Sequence, residues 1–449
     1  MSPTTQMTRR RALVGLAATA ASALLLSACS GGQGGQSGGA KSAGSGWSLP
    51  TTDPTATIKV LSILNLKGQM QPVVDAFEKA HPTIKVDWQT VPFDALNSTL
   101  DARVANKGGD PDVYWADQPR ISALAARGEA EDLTAAFSSY KGKFDATAYD
   151  AGVYQNKLWA LPIANSTQLL YYNKSLLKKA GVANPSPSVQ HRMTWEQLTT
   201  DAAKAKAAGA QYGFLFGQFD RYYQLEPLPV QLGGSVGAGG ANNLTPDFSS
   251  DQWVKAFTWY GSLFANGVSP RGMKAEETDP AFVAGGAAYM VEGPWLLPQM
   301  EGTEVDWGVA PQPVFQGGKP ATPAGSWSLA MNPFSKQKAA AGVFMKWMAI
   351  DEGSGYIKYF AAPELAANIE GKKIYFQKSV FTSAEGKNAA SIIDYETSHT
   401  AVNRVPTIGY IEFETILNQA FADIRNGAAP KPTFDKAANQ LATAWKKYQ

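Results

Sequence analysis

The sequence pattern closest to catalytic chemistry is Gly233-Gly234-Ser235-Val236-Gly237, which has the G-x-S-x-G spacing of a nucleophile elbow. That elbow requires a strand before the serine and a helix after it, whereas the following residues, 238–242, are typical of a loop. The sequence has no H-E-x-x-H metal motif and no phosphate-binding glycine loop. The paired carboxylates of a glycoside hydrolase stay open, because sequence does not give their separation in space. We therefore predict that the protein is not an enzyme, with an exported hydrolase as the alternative.

The single cysteine, Cys29, carries chemistry of another kind. It follows Leu26-Ser27-Ala28, and residues 9–11 are arginines that precede an apolar stretch too short to span a bilayer. Small residues before a cysteine let a signal peptidase bind an extended backbone, and the thiol can then accept a lipid. We predict a lipoprotein signal peptide at 1–28 and a lipid on Cys29. The alternative is a free cysteine in an ordinary signal anchor.

The segment after Cys29 is predicted to be a flexible tether, residues 29–56. Glycine, serine and glutamine dominate residues 31–46, and such a composition buries too little apolar surface to offset the entropy of ordering. The arginines at 9–11 also fit a twin-arginine export signal loosely, so the export route stays open.

Composition excludes several classes of function. The formal charge is +2, and subtraction of the three signal arginines leaves −1, so no basic face for nucleic acid is indicated. Because the one cysteine is assigned to lipidation, we expect no disulfide and no thiolate metal site. The three histidines, His81, His191 and His399, are widely separated, which argues against a histidine metal site. We therefore expect no metal and no cofactor.

The mature chain would have 421 residues, the 449 of the sequence less 28, which suggests two or more domains. Its first elements alternate between strand and helix patterns, which favours an α/β fold with a parallel sheet. The predicted elements are a strand at 57–64, a helix at 69–80, a strand at 84–90, a helix at 95–105 and a strand at 112–115. Ligands of such sheets bind beyond the carboxyl ends of the strands, so the loops after these strands are where we expect binding groups.

The rest of the chain shows a similar alternation. Thr194 is predicted to cap a helix that begins at Trp195. The other elements are strands at 158–163, 168–172, 287–291, 307–309 and 327–331, and helices at 195–208, 252–265 and 338–350. The last third is predicted to be mainly helical.

Several segments, in order, resemble the family 1 extracellular solute-binding proteins of bacterial ABC importers, the class of the maltose-binding protein. The resemblance covers nearly all of the chain after Thr57. The segments are Ile84-Lys85-Val86 with Leu100-Asp101-Ala102-Arg103, Pro111-Asp112-Val113-Tyr114-Trp115-Ala116-Asp117, Leu158-Trp159-Ala160-Leu161-Pro162, Tyr171-Tyr172-Asn173-Lys174, Thr194-Trp195-Glu196-Gln197-Leu198, Gly285-Gly286-Ala287-Ala288-Tyr289-Met290 with Gly293-Pro294-Trp295, and Gly325-Ser326-Trp327-Ser328-Leu329.

The resemblance implies a two-lobed periplasmic-binding-protein fold of type II, with the ligand in a cleft between α/β lobes joined by crossing strands. Lobe 1 is expected to hold 57–164 and 302–326, and lobe 2 to hold 165–301 and 327–449. Lobe closure would bury a sugar or oligosaccharide and present it to the permease of an ABC transporter. The protein is expected to be monomeric and anchored by lipid to the outer face of the cell membrane.

A neutral sugar offers hydroxyl groups around an apolar C–H face, so its receptor needs flat aromatic rings and directional hydrogen-bonding groups. Trp295 and Trp327 lie where family members place stacking aromatics, although core packing is the alternative for each. Asp117 follows a strand and could accept two hydroxyl hydrogen bonds; alternatively, it caps a helix before Pro119. Arg404 is expected to offer its guanidinium fork to vicinal hydroxyls, or else to be a surface arginine.

The remaining candidates come from loops and crossovers. Asn65 ends the first strand, where many relatives carry an acid, and Gly325 would let the backbone approach the ligand. Asn165 and Thr167 lie at the first expected crossover, and Glu292 precedes the Gly-Pro-Trp turn. Weaker candidates are Phe93, Arg221, Tyr222 and Tyr223.

A different solute is the second alternative: glycerol phosphate, a polyamine or a peptide. A phosphate ligand would favour several basic groups in the cleft, and the sequence offers Arg404 and Arg221 at most.

Overall fold

The computed structural model describes residues 47–64, 66–325, 327–362 and 364–449. The predicted signal peptide, Cys29, most of the tether and Asn65 lie outside these residues. Across the described ranges, none of the helices has the length and apolar character that a membrane crossing requires. The description below concerns the compact unit that these ranges form.

A five-stranded sheet forms the core of one lobe, the first lobe. Its strands run in the order Ile84–Thr90, Ala56–Ser62, Val113–Asp117, Trp327–Met331 and Ala160–Pro162. The first three strands are parallel, and Trp327–Met331 is antiparallel to both of its neighbours. Ile58, Val60 and Leu61 are fully buried, as expected for a central strand covered on both faces.

A four-stranded sheet forms the core of the other lobe, the second lobe. Its order is Trp307–Pro311, Leu169–Asn173, Ala287–Glu292 and Tyr212–Phe216. Leu169–Asn173 runs antiparallel to both neighbours, whereas Ala287–Glu292 and Tyr212–Phe216 are parallel. The carboxyl ends of these two parallel strands therefore lie at the same edge of the sheet.

Helices cover both sheets. Gln71–Ala80 buries Val73, Val74 and Phe77 on one face, which is the pattern that its sequence predicts. Around the first sheet lie Gln71–Ala80, Leu96–Arg103, Ile121–Ala126, Thr134–Phe137, Ala146–Ala151, Lys338–Ala349 and Gly355–Tyr359, with Ile369–Tyr375 packed on the last of these. The second lobe contains Lys174–Lys179, Trp195–Ala207, Tyr222–Leu225, Pro227–Gln231, Asp251–Ala265, Ala275–Val283, Leu297–Met300, Ala384–His399, Tyr410–Arg425 and Pro430–Trp445.

The predicted cap of one of these helices is confirmed. The Thr194 hydroxyl accepts a hydrogen bond from the Gln197 amide at 3.1 Å, so Trp195–Ala207 begins where the sequence indicates.

Short crossing strands join the lobes. Ala164–Asn165 carries the chain from the first sheet to the second and pairs antiparallel with Leu365–Ala366, which precedes the last helices. Thr322–Ala324 leads back to the first sheet and pairs in parallel with Ala401–Asn403. These two-stranded ladders connect the lobes at the edge of the cleft, which is where a hinge between them would lie.

The expected division of the second half of the chain between the lobes was wrong for two strands and three helices. Lys338–Ala349, Gly355–Tyr359 and Ile369–Tyr375, expected in the second lobe, belong to the first. Trp307–Pro311, expected in the first lobe, is hydrogen-bonded to Leu169–Asn173 in the second sheet. Trp327–Met331, expected in the second lobe, lies between Val113–Asp117 and Ala160–Pro162 in the first. Both are short apolar strands that suit either sheet, and sequence pattern alone does not identify a strand's partners. The chain thus crosses between residues 311 and 327 rather than near 301.

Candidate functional site

A cavity of about 510 Å³ lies between the lobes. Both sheets contribute to its wall: the first through Asp117 and Trp327, and the second through the loops that carry Arg221 and Trp295. Asp117, Arg221 and Trp295 lie at or just after the carboxyl ends of parallel strands. This is the edge at which an open α/β sheet binds its ligands, and the structure follows the sequence expectation there.

Strand register brings Asp117 and Trp327 together. The two residues are direct partners in the antiparallel ladder between Val113–Asp117 and Trp327–Met331, so their side chains project on the same face. The Trp327 ring lies 5.8 Å from the Trp115 ring and 5.9 Å from the Phe93 ring, measured between centroids. Trp327 is thus held by aromatic neighbours on the sheet while it lines the cavity.

Asp117 forms an ion pair with Arg404 that joins the two lobes. The guanidinium donates two hydrogen bonds, from Nη1 to Oδ2 at 2.8 Å and from Nη2 to Oδ1 at 2.6 Å. The Asp117 side chain makes no capping hydrogen bond to the helical turn that follows it, so the helix-cap alternative was wrong. Arg404 is buried, which excludes the surface-arginine alternative as well.

Arg404 keeps its positive charge in this setting. Burial by itself would lower the pKa of its guanidinium, but the Asp117 carboxylate, together with Tyr410 and Glu414, raises that pKa well above the ordinary value. The Arg404 Cζ atom also lies 5.0 Å from the centre of the Tyr223 ring, a cation–π distance. The Tyr223 hydroxyl in turn lies 2.8 Å from the Ser166 hydroxyl, which fixes the ring against the crossing segment.

Trp295 lines the opposite wall of the cavity. A β-carbon on Gly293 would lie 2.2 Å from the Trp295 ring, so only glycine leaves room for the indole above that backbone. Gly293 thus makes room for the tryptophan ring. The Tyr171 hydroxyl donates to the Gly293 carbonyl at 2.8 Å and holds this turn on the sheet.

Glu292 lies behind the cavity wall and was predicted incorrectly as a direct ligand contact. Its carboxylate is buried, accepts a hydrogen bond from the Gly293 amide at 2.7 Å, and receives another from the Trp295 side chain. Burial raises the pKa of Glu292 well above its ordinary value, and Asp279 raises it further. Burial likewise raises the pKa of Asp279 to about 6. Glu292 supports Trp295 from behind.

Asn165 and Thr167 are also buried behind the lining. The Asn165 side-chain oxygen accepts from the Ser166 amide at 2.8 Å and from the Gly325 amide at 3.3 Å. The Thr167 hydroxyl has no hydrogen-bond partner among the described residues. Neither side chain lines the cavity, contrary to the prediction that both contact the ligand. Asn165 instead links one crossing segment to another through its hydrogen bonds.

Gly325 does line the cavity, and its backbone explains the residue type. Its φ is +91°, in the left-handed region, and a β-carbon would lie 2.8 Å from the Gln118 side-chain oxygen. Its carbonyl accepts a short hydrogen bond from the Ser166 hydroxyl. A glycine is therefore required where the chain returns to the first sheet.

Sequence reasoning missed one group of lining residues. Tyr356 and Phe360 come from the helix Gly355–Tyr359 and its end, and Glu364 follows them. The two aromatics are four positions apart, a spacing that usually marks a core-facing side of a helix. Glu414 was missed too, and it pairs with Arg120 across the lobes. Of the weaker candidates, Phe93, Arg221 and Tyr223 line the cavity, whereas Tyr222 is fully buried behind it.

A second cavity of about 390 Å³ adjoins the first. The charged residues that line the two are three acids and three arginines: Asp117, Glu364, Glu414, Arg120, Arg221 and Arg404. The formal charges of the described lining therefore cancel.

The G-x-S-x-G segment leads from the helix Pro227–Gln231 into a hairpin. Gly237–Gly239 pairs antiparallel with Thr245–Asp247, and the Ser235 hydroxyl donates to the Asp247 carbonyl at 2.5 Å. A strand–turn–helix context is absent from this described segment, so the nucleophile-elbow alternative loses its support. No group of three or more His, Cys, Asp or Glu residues that could hold a metal ion occurs within the described ranges.

Comparison with known proteins identifies similar chains. Residues 65–354 match the model of a family described as bacterial extracellular solute-binding protein, which is well over half of the sequence. A putative binding protein of Brucella abortus is 29% identical over 292 residues, covering 62% of this chain and 66% of the relative. The match thus spans just under two thirds of that relative's length.

Two other relatives are named for the class of ligand that they bind. The maltodextrin-binding protein MdxE of Bacillus subtilis is 26% identical and covers 85% of this chain and 87% of its own length. The galactooligosaccharide-binding protein of the same organism is 24% identical, with coverages of 81% and 84%.

Two solved structures share the architecture. An ABC substrate-binding protein of Listeria monocytogenes, in complex with cycloalternan, superposes with a TM-score of 0.75 at 21% identity, covering 87% of this chain and 99% of that one. The GacH receptor of Streptomyces glaucescens, solved unliganded and with acarbose, gives a TM-score of 0.72 at 23% identity, with coverages of 88% and 98%. Likeness at this level shows a common fold.

Proposed function

The chain belongs to the bacterial extracellular solute-binding proteins and has a two-lobed, type II periplasmic-binding-protein fold, and from this premise we propose that it captures a neutral sugar or oligosaccharide. The lobes would close on the solute, and the closed form would be presented to the permease of an ABC transporter. The names of two relatives, which bind maltodextrin and galactooligosaccharide, support this class of ligand.

One observation carries the proposal: Asp117, Arg404, Trp295 and Trp327 line a single cavity between the lobes. The indole rings offer apolar faces to the C–H surface of a sugar ring. The Asp117 carboxylate retains lone pairs beyond the two that Arg404 occupies, so it can accept hydrogen bonds from hydroxyl groups. Such a set fits a neutral, hydroxyl-rich solute.

The charge balance supports a neutral solute over a charged one. Three acids and three arginines line the two cavities, and Asp117–Arg404 and Arg120–Glu414 are already paired with each other. A phosphate group entering this space would meet carboxylates as well as guanidinium groups, and a polyamine would meet the arginines. Glycerol phosphate and polyamines are therefore the less favoured alternatives.

We further propose that the protein is exported and anchored by a lipid on Cys29. The sequence before the described residues supports this: a positively charged start, a short apolar stretch and a single cysteine after small residues. Membership of an extracellular family supports a location outside the cytoplasm.

A thermal-shift screen of the mature chain tests the proposed ligand class. Monosaccharides, oligosaccharides, glycerol phosphate, a polyamine and short peptides would be compared at equal concentrations, and hits confirmed by calorimetry. A ligand that binds only the folded state raises the melting temperature, by the equivalent of about 2.7 kcal/mol at one hundred times its Kd. We expect shifts from neutral saccharides. If only glycerol phosphate or peptides raised the melting temperature, that solute would replace a saccharide as the proposed ligand.

The hydrolase alternative needs a separate assay. Prolonged incubation with labelled oligosaccharides is expected to leave them intact, and shortened products would establish catalysis.

A further inference from the structure

The two adjoining cavities share part of their lining: Phe93, Asp117, Arg221, Trp327 and Glu414. Phe93 and Arg221 line both of them, so the pair lies at their junction. Phe93 comes from the first lobe, after the strand Ile84–Thr90, and Arg221 comes from the second, after Tyr212–Phe216. The Arg221 Cζ atom lies 4.5 Å from the centre of the Phe93 ring, a cation–π distance across the cleft.

Phe93 is unusual among the apolar side chains. It is 42% exposed, and only one other large hydrophobic residue in the described ranges, Ile369, is classed as exposed. Its ring packs in a T-shaped arrangement against Trp327 at 5.9 Å and an angle of 82°, while the Arg221 guanidinium lies over the Phe93 ring. An exposed aromatic ring at the mouth of a ligand cavity gains apolar burial when a ligand covers it.

The two cavities differ in chemistry. Aromatic rings dominate the 510 Å³ cavity, through Tyr223, Trp295, Tyr356 and Phe360. The lining that belongs to the 390 Å³ cavity alone includes three amides and a hydroxyl: Asn97, Asn418, Gln419 and Thr415. One end thus suits a stacked sugar ring, and the other suits a unit held mainly through its hydroxyl groups.

We propose that Phe93, paired with Arg221, determines ligand length. A saccharide of two or more units would lie with one unit among the aromatic rings and the next in the amide-lined cavity, passing under the Phe93 ring. Phe93 and Arg221 would close over the linkage between two sugar units. A longer ligand would therefore contact both lobes at its middle. This inference rests on the proposed sugar-binding function and adds the minimum length of the ligand.

The first test blocks the amide-lined cavity. Thr415 is exposed on Tyr410–Arg425, so Thr415→Trp would fill that cavity without entering the core. Kd values would be measured by calorimetry for the mono-, di- and trisaccharide of whichever series the screen identifies. We expect wild type to bind the disaccharide more tightly than the monosaccharide, by about tenfold. Thr415→Trp should abolish that gain.

The controls separate blocking from a folding defect. Thr443→Trp places the same bulk at an exposed threonine of Pro430–Trp445, outside both cavities, and should keep the length preference. If Thr415→Trp does not fold, Gln419→Trp, one turn further along, fills the same cavity.

The second test addresses Phe93 itself. Phe93→Ala should weaken binding of the longer saccharide by about three- to tenfold. It should therefore reduce the difference in Kd between long and short saccharides. Ile369→Ala removes the other large hydrophobic side chain that is exposed in the described ranges, and it should leave the difference in Kd between long and short saccharides unchanged.

The outcomes distinguish this inference from the function on which it rests. Saccharide binding that is independent of length in wild type, or a length preference unchanged by Thr415→Trp and Phe93→Ala, would overturn the inference and leave sugar binding intact. Absence of binding by any saccharide would overturn both.

Discussion

Two of the arginine–carboxylate pairs among the described residues have an arginine that is 5% exposed or less, and they lie in different surroundings. Asp117 and Arg404 have side chains that are 13% and 5% exposed, join the two lobes and line the central cavity. Arg192 and Glu396 are 4% and 0% exposed and lie within the second lobe, 2.5 Å apart. The Glu396 carboxylate also accepts a hydrogen bond from the Thr400 hydroxyl, and Arg192 donates to the Gln312 carbonyl.

The difference teaches that burial of an ion pair does not by itself mark a binding site. Both pairs have lost bulk solvent, and breaking either leaves a charge that has been removed from water. Only Asp117–Arg404 faces a space that a solute can enter, so its remaining acceptor sites can exchange water for ligand hydroxyls. We therefore expect both pairs to contribute to stability and only the first to govern affinity as well.

The largest expected effect belongs to the structural pair. Glu396→Ala would leave the Arg192 guanidinium buried without its carboxylate and lower the free energy of unfolding by about 3–5 kcal/mol. Urea unfolding measures the loss, and the Kd of the folded protein for its saccharide should not change. Glu370→Ala breaks an exposed pair with Lys373 and should cost under about 1 kcal/mol. Equal losses in the two variants would contradict the distinction.

The functional pair should affect binding. Asp117→Ala removes a charged acceptor of hydroxyl hydrogen bonds and should weaken saccharide binding by about 1.5–3 kcal/mol in calorimetry. Asp101→Ala, which removes another acid of the first lobe that pairs with Arg127, is the matched control and should bind as wild type does. An unchanged Kd for Asp117→Ala would remove this carboxylate from the site.

A smaller effect is expected from the stacking tryptophan. Ligand should alter the tryptophan emission of wild type, because Trp295 and Trp327 pass from a wet cavity to a covered one. Trp295→Phe should reduce that change and weaken binding by about 0.5–1.5 kcal/mol. Trp159→Phe, at a half-buried tryptophan whose indole donates to the Tyr154 carbonyl, should leave both unchanged. Identical emission changes in the two variants would place the ligand away from Trp295.

The smallest effect concerns pH. The pKa of Asp279 is raised to about 6 by burial, so the folded state holds this proton more tightly than the unfolded chain. The stabilisation from that proton is complete below about pH 4 and is lost as the pH rises through about 6. Glu292, whose pKa is also raised, shifts stability in the same direction.

Comparison of wild type with Asp279→Asn between pH 4 and 7 isolates this contribution. The unfolding free energy of wild type should fall relative to the variant by about 1 kcal/mol, a modest amount because Asp279 is partly exposed. If the unfolding free energy of wild type rose relative to that of the variant between pH 4 and 7, the predicted direction of the pH dependence would be wrong.

The sequence predicted the fold class, because the alternation of strand and helix patterns is a local feature. It also predicted the edge of the sheet at which the cleft lies, because the position of Asp117 directly after a strand is local as well. It did not predict which sheet Trp327–Met331 joins, since strand pairing is set by contacts distant in the chain. For the same reason the bond between Asp117 and Arg404 was not foreseen, although both residues were candidates.

The errors at the site share one physical feature, which is burial. Asn165, Thr167 and Glu292 are polar residues beside functional segments, and the chain buries all three; Asn165 and Glu292 are held by neighbouring backbone amides. Tyr356 and Phe360 show the converse, because aromatics spaced like core residues face the cavity. Sequence identifies which residues can do the chemistry, and packing decides which of them reach the ligand.

A crystal structure of the mature chain with its tightest-binding saccharide tests the central claim most directly. The account predicts a sugar ring in the cavity between the lobes, against Trp295 or Trp327, with a hydroxyl group hydrogen-bonded to Asp117 while Arg404 stays paired with that carboxylate. A saccharide bound outside this cavity, or inside it without contact to Asp117 and either indole, would contradict the account.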